Sequence, residues 1–259
     1  MNITLIAILS AVSLFFGMLV LFEVGRRFGI ARLAHDPEGL AKGTGAAEGA
    51  VFGLLGLILA FSFSGAATRF EERRHLITEE ANAIGTAYLR LDLLQANAQP
   101  ELRTLFRQYL DIRATIYENH TDEASPNTRL EKAAALQTDI WNKSLAASRH
   151  QESSPDAAKL LLPALNEMID ITTTRATATE NHPPLVVYLL LAGLSLIGAM
   201  LVGYAMSANK GRSWLHSISF AAVISLATYV IIDLEFPRLG LIRVDGADKV
   251  LIDLRKSLD

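Results

Sequence analysis

Histidine and cysteine are the residue types that most often carry catalytic or metal chemistry, and in this sequence neither forms a recognisable catalytic or metal-binding motif. The six histidines lie at positions 35, 75, 120, 150, 182 and 216, outside any HExxH, catalytic-triad or phosphate-loop pattern. His75 and Glu79 share a helix face at i, i+4 spacing, an arrangement more typical of a solvated surface pair than of half a metal site. The chain has no cysteine, which excludes thiolate nucleophiles and disulfides. The sequence therefore predicts no enzyme and no bound cofactor or metal.

The segment from 49 to 68, GAVFGLLGLILAFSFSGAAT, carries a different signal. Wound as a helix, it presents two neighbouring stripes. One stripe consists of small residues, which let membrane helices approach closely: Gly49, Gly53, Gly56, Ala60 and Ser64. The other holds Phe52, Leu59 and Phe63, which in a ring of identical copies would form a hydrophobic constriction that gates by dewetting. The alternative is that these side chains face lipid or other helices of the same subunit.

Ionisable residues inside a membrane span usually mark the path of a proton or an ion, and here they are nearly missing. His216 is the one candidate, since Glu48, Arg69 and Asp233 stand at the ends of apolar segments. This pattern disfavours a proton-coupled transporter. It favours either a passive pore with an apolar neck or a membrane scaffold.

Four apolar segments hold these residues. The chain is 51% hydrophobic over 259 residues, too apolar for an ordinary soluble protein, and about twenty apolar residues are needed to cross a bilayer as a helix. Spans are predicted at 3–22, 49–68, 184–208 and 214–232. No Lys or Arg precedes the first apolar run and no small-residue cleavage site follows it, so it is interpreted as an anchor rather than as a signal peptide. The predicted order is 1–68 with two spans, 69–183 in water, 184–232 with two spans, and a tail at 233–259.

The polar segment between the second and third spans predicts more helices. Because no proline occurs between Thr68 and Pro100, the second span should continue into water as one long helix. Start signals at Pro100, at Ser125 with Pro126 and at Ser154 with Pro155 predict three further helices, stacked antiparallel on this extension. No strand pattern appears, so the predicted class is all-α.

The charged residues do not indicate a nucleic-acid partner, and they do not determine which side of the membrane holds the N-terminus. The net charge is −3, with no concentrated basic face to indicate nucleic acid. The bias of Lys and Arg towards cytoplasmic loops gives six against six. An external N-terminus would leave Arg26, Arg27, Arg32, Lys42, Lys210 and Arg212 inside, and an internal one would leave Arg69, Arg73, Arg74, Arg175, Arg238 and Arg243.

Two stretches carry residue orders that occur together in a known family. In FGLLGLILAFSFSGAATRFEERRHLI, an apolar helix ends in an Arg, an aromatic, a Glu and an Arg, at Arg69, Phe70, Glu72 and Arg74. In IIDLEFPRLGLIRV, acidic residues precede a proline at Asp233, Glu235 and Pro237. These stretches resemble the second span and the segment after the last span in the bestrophin-like domain family of bacterial membrane proteins, and more distantly in bestrophins.

The resemblance implies a function and an orientation. Bestrophins are pentameric anion channels whose second span lines the pore and whose inserted helical domain is cytosolic. This chain would then be a homo-oligomer in the cell membrane, the inner one where a cell has two, and would conduct an anion such as chloride. Phe52, Leu59 and Phe63 would form the neck. Arg69, Arg73 and Arg74 would concentrate anions at the pore mouth, where Glu72 with Arg74 would brace neighbouring helices. A non-conducting sensor or scaffold that acts through the inserted domain is the alternative.

Overall fold

The computed structural model describes residues 3–35, 44–115, 126–208 and 214–258. Within these ranges the regular structure is helical and no strand occurs, which confirms the all-α prediction. The helices are α1 (Ile3–His35), α2 (Thr44–Leu89), α3 (Gln99–Thr115), α4 (Pro126–Ser148), α5 (Ala157–Glu180), α6 (Leu185–Ala205), α7 (Trp214–Glu235) and α8 (Asp245–Ser257).

Four helical stretches of the described chain are long and apolar enough to cross a membrane, as predicted. They are Thr4–His35, Gly45–Leu93, Ala157–Ala205 and Trp214–Glu235. The third includes α5 and α6, and its uncharged part is α6. The first is longer than its apolar run, because α1 continues past Phe22 to His35 and takes its charged flank into the helix. There Arg27 Nε donates to Glu23 Oε1 at 3.0 Å, one turn away.

The continuation of the second span as a single helix is also confirmed. α2 has 46 residues, about 70 Å at ~1.5 Å per residue. α3 begins one residue before Pro100 and α4 begins at Pro126, while Ser125 lies outside the described residues. The predicted start of α5 is two residues early: Ser154 and Pro155 form a turn in which Ala157 N–H donates to the Ser154 carbonyl at 2.9 Å, and the helix begins at Ala157.

The chain forms two compact units. The first is Met1–Phe70 with His182–Arg243, and the second is Glu71–Asn181 with Val244–Asp259. α2 contributes its apolar half to the first unit and its polar half to the second. The first unit contains two buried clusters, Leu14, Met18, Phe22, Ala199 and Ala221 in one, and Leu55, Ala66, Leu191, Ile231 and Leu234 in the other.

Glycine lets α1 and α6 pack backbone to backbone in the first unit. A methyl group added at Gly25 would overlap the Met200 carbonyl, and one added at Gly203 would overlap the Phe22 carbonyl. Backbone atoms cannot move aside as a flexible side chain can. Small residues are what allow such close helix contacts in membranes, where van der Waals packing replaces the hydrophobic effect between helices.

Gly25→Ala is therefore expected to destabilise the first unit by about 1–3 kcal/mol, the usual cost of overpacking a well-filled contact. Gly193→Ala is the matched control, because a methyl group at Gly193 meets no atom within 4 Å. In a helix interior that change alone should be neutral or stabilising. Thermal unfolding of the two purified variants in one detergent measures the difference, and equal midpoints would contradict the close packing.

The second unit is built on large side chains that are fully buried. Phe106, Tyr109 and Leu110 of α3 are each 0% exposed, and Gln137 Nε2 of α4 donates to the Tyr109 hydroxyl at 3.0 Å. Burial raises the pKa of Tyr109 to about 12, because the charged phenolate is poorly solvated there, so this hydroxyl stays neutral.

The C-terminal helix α8, which the sequence interpretation left as a tail segment, belongs to this second unit. Its Leu251 is completely buried, and its Arg255 Nε donates to Asp111 Oδ1 of α3 at 2.7 Å. The Leu258 carbonyl accepts from Arg107 Nη1 at 3.2 Å. These contacts fasten the end of the chain to α3.

Candidate functional site

The surface of α2 that the other described helices leave uncovered is the first candidate site. Only 11% of the most apolar window of this helix is buried, against 22% in each of the other three membrane-crossing stretches. All five small residues predicted as a packing stripe are exposed: Gly49, Gly53, Gly56, Ala60 and Ser64. Methyl groups added at Gly49, Gly53 or Gly56 would meet no atom within 4 Å. We call this surface, together with Leu57 and Phe61 beside it, the exposed face of α2.

The three residues predicted to line a pore differ in position. Phe52 is partly buried: its ring lies against Gly198 of α6 and packs edge-on to Phe220 of α7, with centroids 6.1 Å apart. Leu59 is partly buried in a cluster of the same unit. Phe63 is 49% exposed. Within the protomer, Phe52 and Leu59 therefore serve helix packing, and Phe63 points outwards.

Two large apolar side chains on the exposed face of α2 were not singled out by sequence. Leu57 is 50% exposed and Phe61 is 67% exposed. They are four residues apart, one helical turn, so they lie on the same side as Gly53 and Ser64. The sequence does place Leu57 and Phe61 at successive four-residue steps from Gly53. This series was overlooked because Phe52, Leu59 and Phe63 form a second apolar stripe on the same helix.

The predicted pore-mouth arginines are engaged in different contacts. Arg69 Nε donates to both carboxylate oxygens of Glu235, at 3.0 and 3.1 Å, and the Glu235 side chain is 0% exposed. Arg74 Nη1 donates to Glu71 Oε1 at 2.9 Å on the surface, while Glu72 is exposed.

Arg73 has a structural contact in the second unit. It is buried, and its guanidinium donates to the carbonyls of Ala178 and Asn181 at 2.9 and 3.0 Å. These carbonyls lie at the C-terminal end of α5, where the last carbonyls of a helix lack intrahelical donors and a cation is favourable. Arg73 thus caps α5.

A buried ion cluster lies inside the second unit. The Glu80 carboxylate accepts from Arg113 Nη2 at 3.0 Å and also from Arg175 Nη1. The three side chains are 0%, 3% and 7% exposed, in that order. Removing charged groups from water is costly unless they are paired and hydrogen-bonded, and here two guanidinium groups share one carboxylate. The sequence did not reveal this cluster, although Glu80 stands out as a charge in a mostly apolar stripe of α2 that includes Leu76, Ala83 and Ala87.

The segment after α7 is organised by a second buried carboxylate, in the first unit. Asp233 is 3% exposed and accepts from Leu241 N–H at 3.0 Å and from Ile242 N–H at 2.8 Å. The Tyr229 hydroxyl lies 3.2 Å from the same carboxylate. Asp233 therefore does more than cap the last span, because it folds the following turn back onto the end of α7.

Asp233→Ala is expected to remove the hydrogen bonds that the amides of Leu241 and Ile242 donate to this carboxylate, at a total cost of about 1–3 kcal/mol. Hydrogen exchange measured by mass spectrometry over 236–243 should then be faster. Asp253→Ala is the control, since Asp253 is 54% exposed and pairs with Lys256 on one helix surface, where ion pairs contribute little. Unchanged exchange in the Asp233 variant would contradict the role of this carboxylate.

Other titratable groups give no catalytic arrangement among the described residues. His75 Nε2 and Glu79 Oε1 are 3.0 Å apart, and their side chains are 69% and 47% exposed, so they form a solvated pair. Over the described ranges, no group of three His, Asp or Glu side chains is placed to hold a metal ion. A groove of about 450 Å³ in the second unit is acidic, with Glu79, Glu167 and Asp170 in its lining.

Comparison with known proteins adds to this geometry. The sequence matches the bestrophin-like domain family over residues 14–247, while no curated protein sequence matches it. A bacterial bestrophin homologue from Klebsiella pneumoniae, solved by zinc anomalous phasing, has 15% identity, a TM-score of 0.65, and coverage of 93% of this chain and 98% of its own. A single-residue variant of the homologue has 14% identity, a TM-score of 0.68, and coverage of 95% and 99%.

At these identities the structures show a shared fold, and the family match together with the four apolar helices shows a multi-pass membrane protein. The family match extends from within α1 to within α8, so it includes most of the first membrane-crossing stretch, all of the other three, the Glu80 cluster and Asp233. The chain therefore belongs to the bestrophin-like domain family.

Proposed function

We propose that this protein is a homo-oligomeric ion channel whose pore is lined by the exposed face of α2. The observation that carries the proposal is that the most apolar part of α2 is the least covered of the membrane-crossing stretches, with its small residues open to a neighbour. Small side chains let helices from adjacent copies approach closely. In such a ring Gly49, Gly53, Gly56 and Ala60 would contact the neighbouring helix. Leu57, Phe61 and Ser64, on the adjoining part of the exposed face, would then surround a common axis.

The exposures of the apolar side chains support a specific neck. Leu57 and Phe61 are the larger side chains of the exposed face, whereas Phe52 and Leu59 pack within their own protomer. We therefore assign the constriction to Leu57 and Phe61, and not to Phe63, which is two residues from Phe61 and so points to a different side of the helix. An apolar ring of this kind gates by dewetting, because a narrow apolar pore does not hold water.

We also propose that the channel selects anions, because bestrophins conduct anions and because three arginines lie near residue 70. All three arginines have partners, but Arg69 and Arg73 are held by Glu235 and by the end of α5, whereas the Arg74–Glu71 pair is exposed on the surface, so Arg74 is the most accessible of the three to anions. Chloride is the proposed permeant ion. By resemblance to bestrophins the ring would be a pentamer in the cell membrane, with the segment between the second and third spans in the cytoplasm.

Ion flux from purified protein in liposomes, under opposed chloride and potassium gradients, tests this function. The mass of the oligomer is measured on the same sample. A reversal potential that follows chloride, from a ring-sized oligomer, is the expected result. A potential that follows potassium would keep the pore and overturn the selectivity. Absence of flux from an intact oligomer, including the Leu57→Ala and Phe61→Ala double variant, would favour the non-conducting scaffold.

A further inference from the structure

The turn between α7 and α8, residues 236–243, presents large apolar side chains outwards. Leu239 is 52% exposed and Leu241 is 76% exposed, as high as any large apolar side chain in the described ranges. Exposed leucines are common singly, but adjacent large ones on a turn mark an interaction surface.

This exposure is fixed by the backbone of the turn. Leu241 N–H and Ile242 N–H donate to the buried Asp233 carboxylate, and Leu239 N–H donates to the Phe236 carbonyl at 2.9 Å. A side chain at Gly240 would overlap the Asp233 carboxylate. The two leucines therefore project from a hydrogen-bonded turn, and they do not become exposed through fraying.

The turn lies beside the beginning of the first membrane-crossing helix. Thr4 Oγ1, in the first turn of α1, donates to the Leu239 carbonyl. From there the outer surface of α1 continues with apolar side chains, of which Leu5 is 51% exposed and Leu9 is 54% exposed. Since α1 is one of the four membrane-crossing stretches, Leu239 lies at one end of the exposed apolar surface of a helix that can cross the membrane.

Basic residues accompany the leucines. Arg238 and Arg243 flank the turn, Arg243 is exposed, and no acidic residue occurs from 236 to 243. Arg243 Nη2 donates to the Arg238 carbonyl at 3.4 Å, which keeps the two basic residues on the same turn. Apolar side chains bordered by arginines are the combination that binds the boundary between lipid headgroups and acyl chains in an anionic bilayer.

We propose that the turn 236–243 is an interfacial anchor that inserts Leu239 and Leu241 into the anionic surface of the bilayer. The anchor fixes the end of α7 at the membrane boundary, and it is independent of whether the protein conducts ions. Lipid is favoured over a second copy of the chain because the apolar surface continues along the outer surface of α1 and because its flanks are basic.

Because the chain has no cysteine, a cysteine introduced at one position is the single site at which a thiol-reactive spin label attaches. Leu241→Cys, Leu9→Cys and Leu130→Cys are each labelled in the full chain and reconstituted in vesicles of phosphatidylcholine and phosphatidylglycerol. Leu9 is the lipid-facing reference, and Leu130, 44% exposed on α4, is the reference in the segment predicted to be in water. Collision of the label with oxygen, which concentrates in lipid, is compared with collision with a neutral nickel chelate, which stays in water.

The anchor predicts that the label at 241 resembles the one at 9, with oxygen collisions exceeding nickel collisions. A label at 241 that behaves like the one at 130 would overturn the proposal by placing the turn in water. A label shielded from both reagents would overturn it as well, by placing the turn against protein, as in contact with a second copy. Leu239→Cys, on the same turn, provides a second reporter should the first variant fold poorly.

Discussion

Glu80→Gln is expected to destabilise the second unit by about 3–5 kcal/mol, the cost of breaking a buried ion cluster by removing one partner. The substitution keeps the size of the side chain but leaves Arg113 and Arg175, at 3% and 7% exposure, without their shared carboxylate. Neither guanidinium can lose its proton at any ordinary pH, so both remain as buried charges. Hydrogen exchange over α3 and α5, with thermal unfolding of the same samples, measures the loss.

The neighbouring residue supplies the control. Glu79→Gln makes the same chemical change on a side chain that is 47% exposed and paired with an exposed histidine, where an ion pair is worth well under about 1 kcal/mol. Its effect should be small. If Glu80→Gln and Glu79→Gln unfold at the same temperature, the cluster does not hold the unit together. Replacing all three members by apolar residues of similar volume should recover much of the stability.

Phe61→Ala is expected to raise single-channel conductance several-fold, because it removes the most exposed aromatic side chain of α2 from the proposed neck and widens an apolar constriction that limits hydration. Planar-bilayer recording of purified protein gives the conductance directly. Leu57→Ala, one turn away, should act in the same direction.

Two other phenylalanines separate a pore effect from a general loss of aromatic volume. Phe16→Ala changes a side chain of α1 that is 59% exposed and should leave conductance unchanged. Phe52→Ala should mainly lower stability, because that ring packs on Phe220 inside the protomer. A conductance that rises equally in the Phe16 and Phe61 variants would remove the neck from α2.

The membrane architecture could be predicted from sequence because its signals are local. Apolar runs of about twenty residues indicate the spans, and the absence of proline between Thr68 and Pro100 indicates that α2 continues beyond its apolar half, although the helix ends at Leu89. The exact ends of the helices could not be predicted as well from the sequence. α1 extends to His35, past the end of its apolar run; Glu23 and Arg27 form an i, i+4 pair in the added turns, and Gly25 packs there against the Met200 carbonyl of α6.

The helix α8 had a readable signal that the sequence interpretation did not use. Val244, Ala247, Leu251, Leu254 and Leu258 follow one another at three- and four-residue spacing, the period of an amphipathic helix. Leu251 at the centre of this stripe is completely buried. The short length and polar composition of α8 made it resemble a surface tail. The structure shows that the side bearing Leu251 is covered and that α8 packs against α3.

The residues of the candidate site could not be identified from sequence, because their exposure depends on how α6 and α7 pack against α2. Two stripes of α2 lie next to each other on the helix, and the sequence cannot say which one α6 and α7 will cover. Phe220 and Gly198 decide this by receiving Phe52, which leaves Leu57 and Phe61 outside. The Glu80 cluster joins α2, α3 and α5 across 33 and 95 residues of chain, distances at which charge pairing has no local signature.

The most direct test of the pore on α2 uses a single cysteine at Ser64, on the exposed face and one turn from Phe61, in a chain that has no other cysteine. Current through Ser64→Cys channels in a planar bilayer is recorded before and after addition of a negatively charged methanethiosulfonate, with Leu189→Cys, 63% exposed on α6, as the matched variant. We expect the reagent to reduce the current through the Ser64→Cys channels and to leave the current through the Leu189→Cys channels unchanged. Current that persists after complete modification at 64, or a preparation of intact oligomer that passes no current, would contradict it.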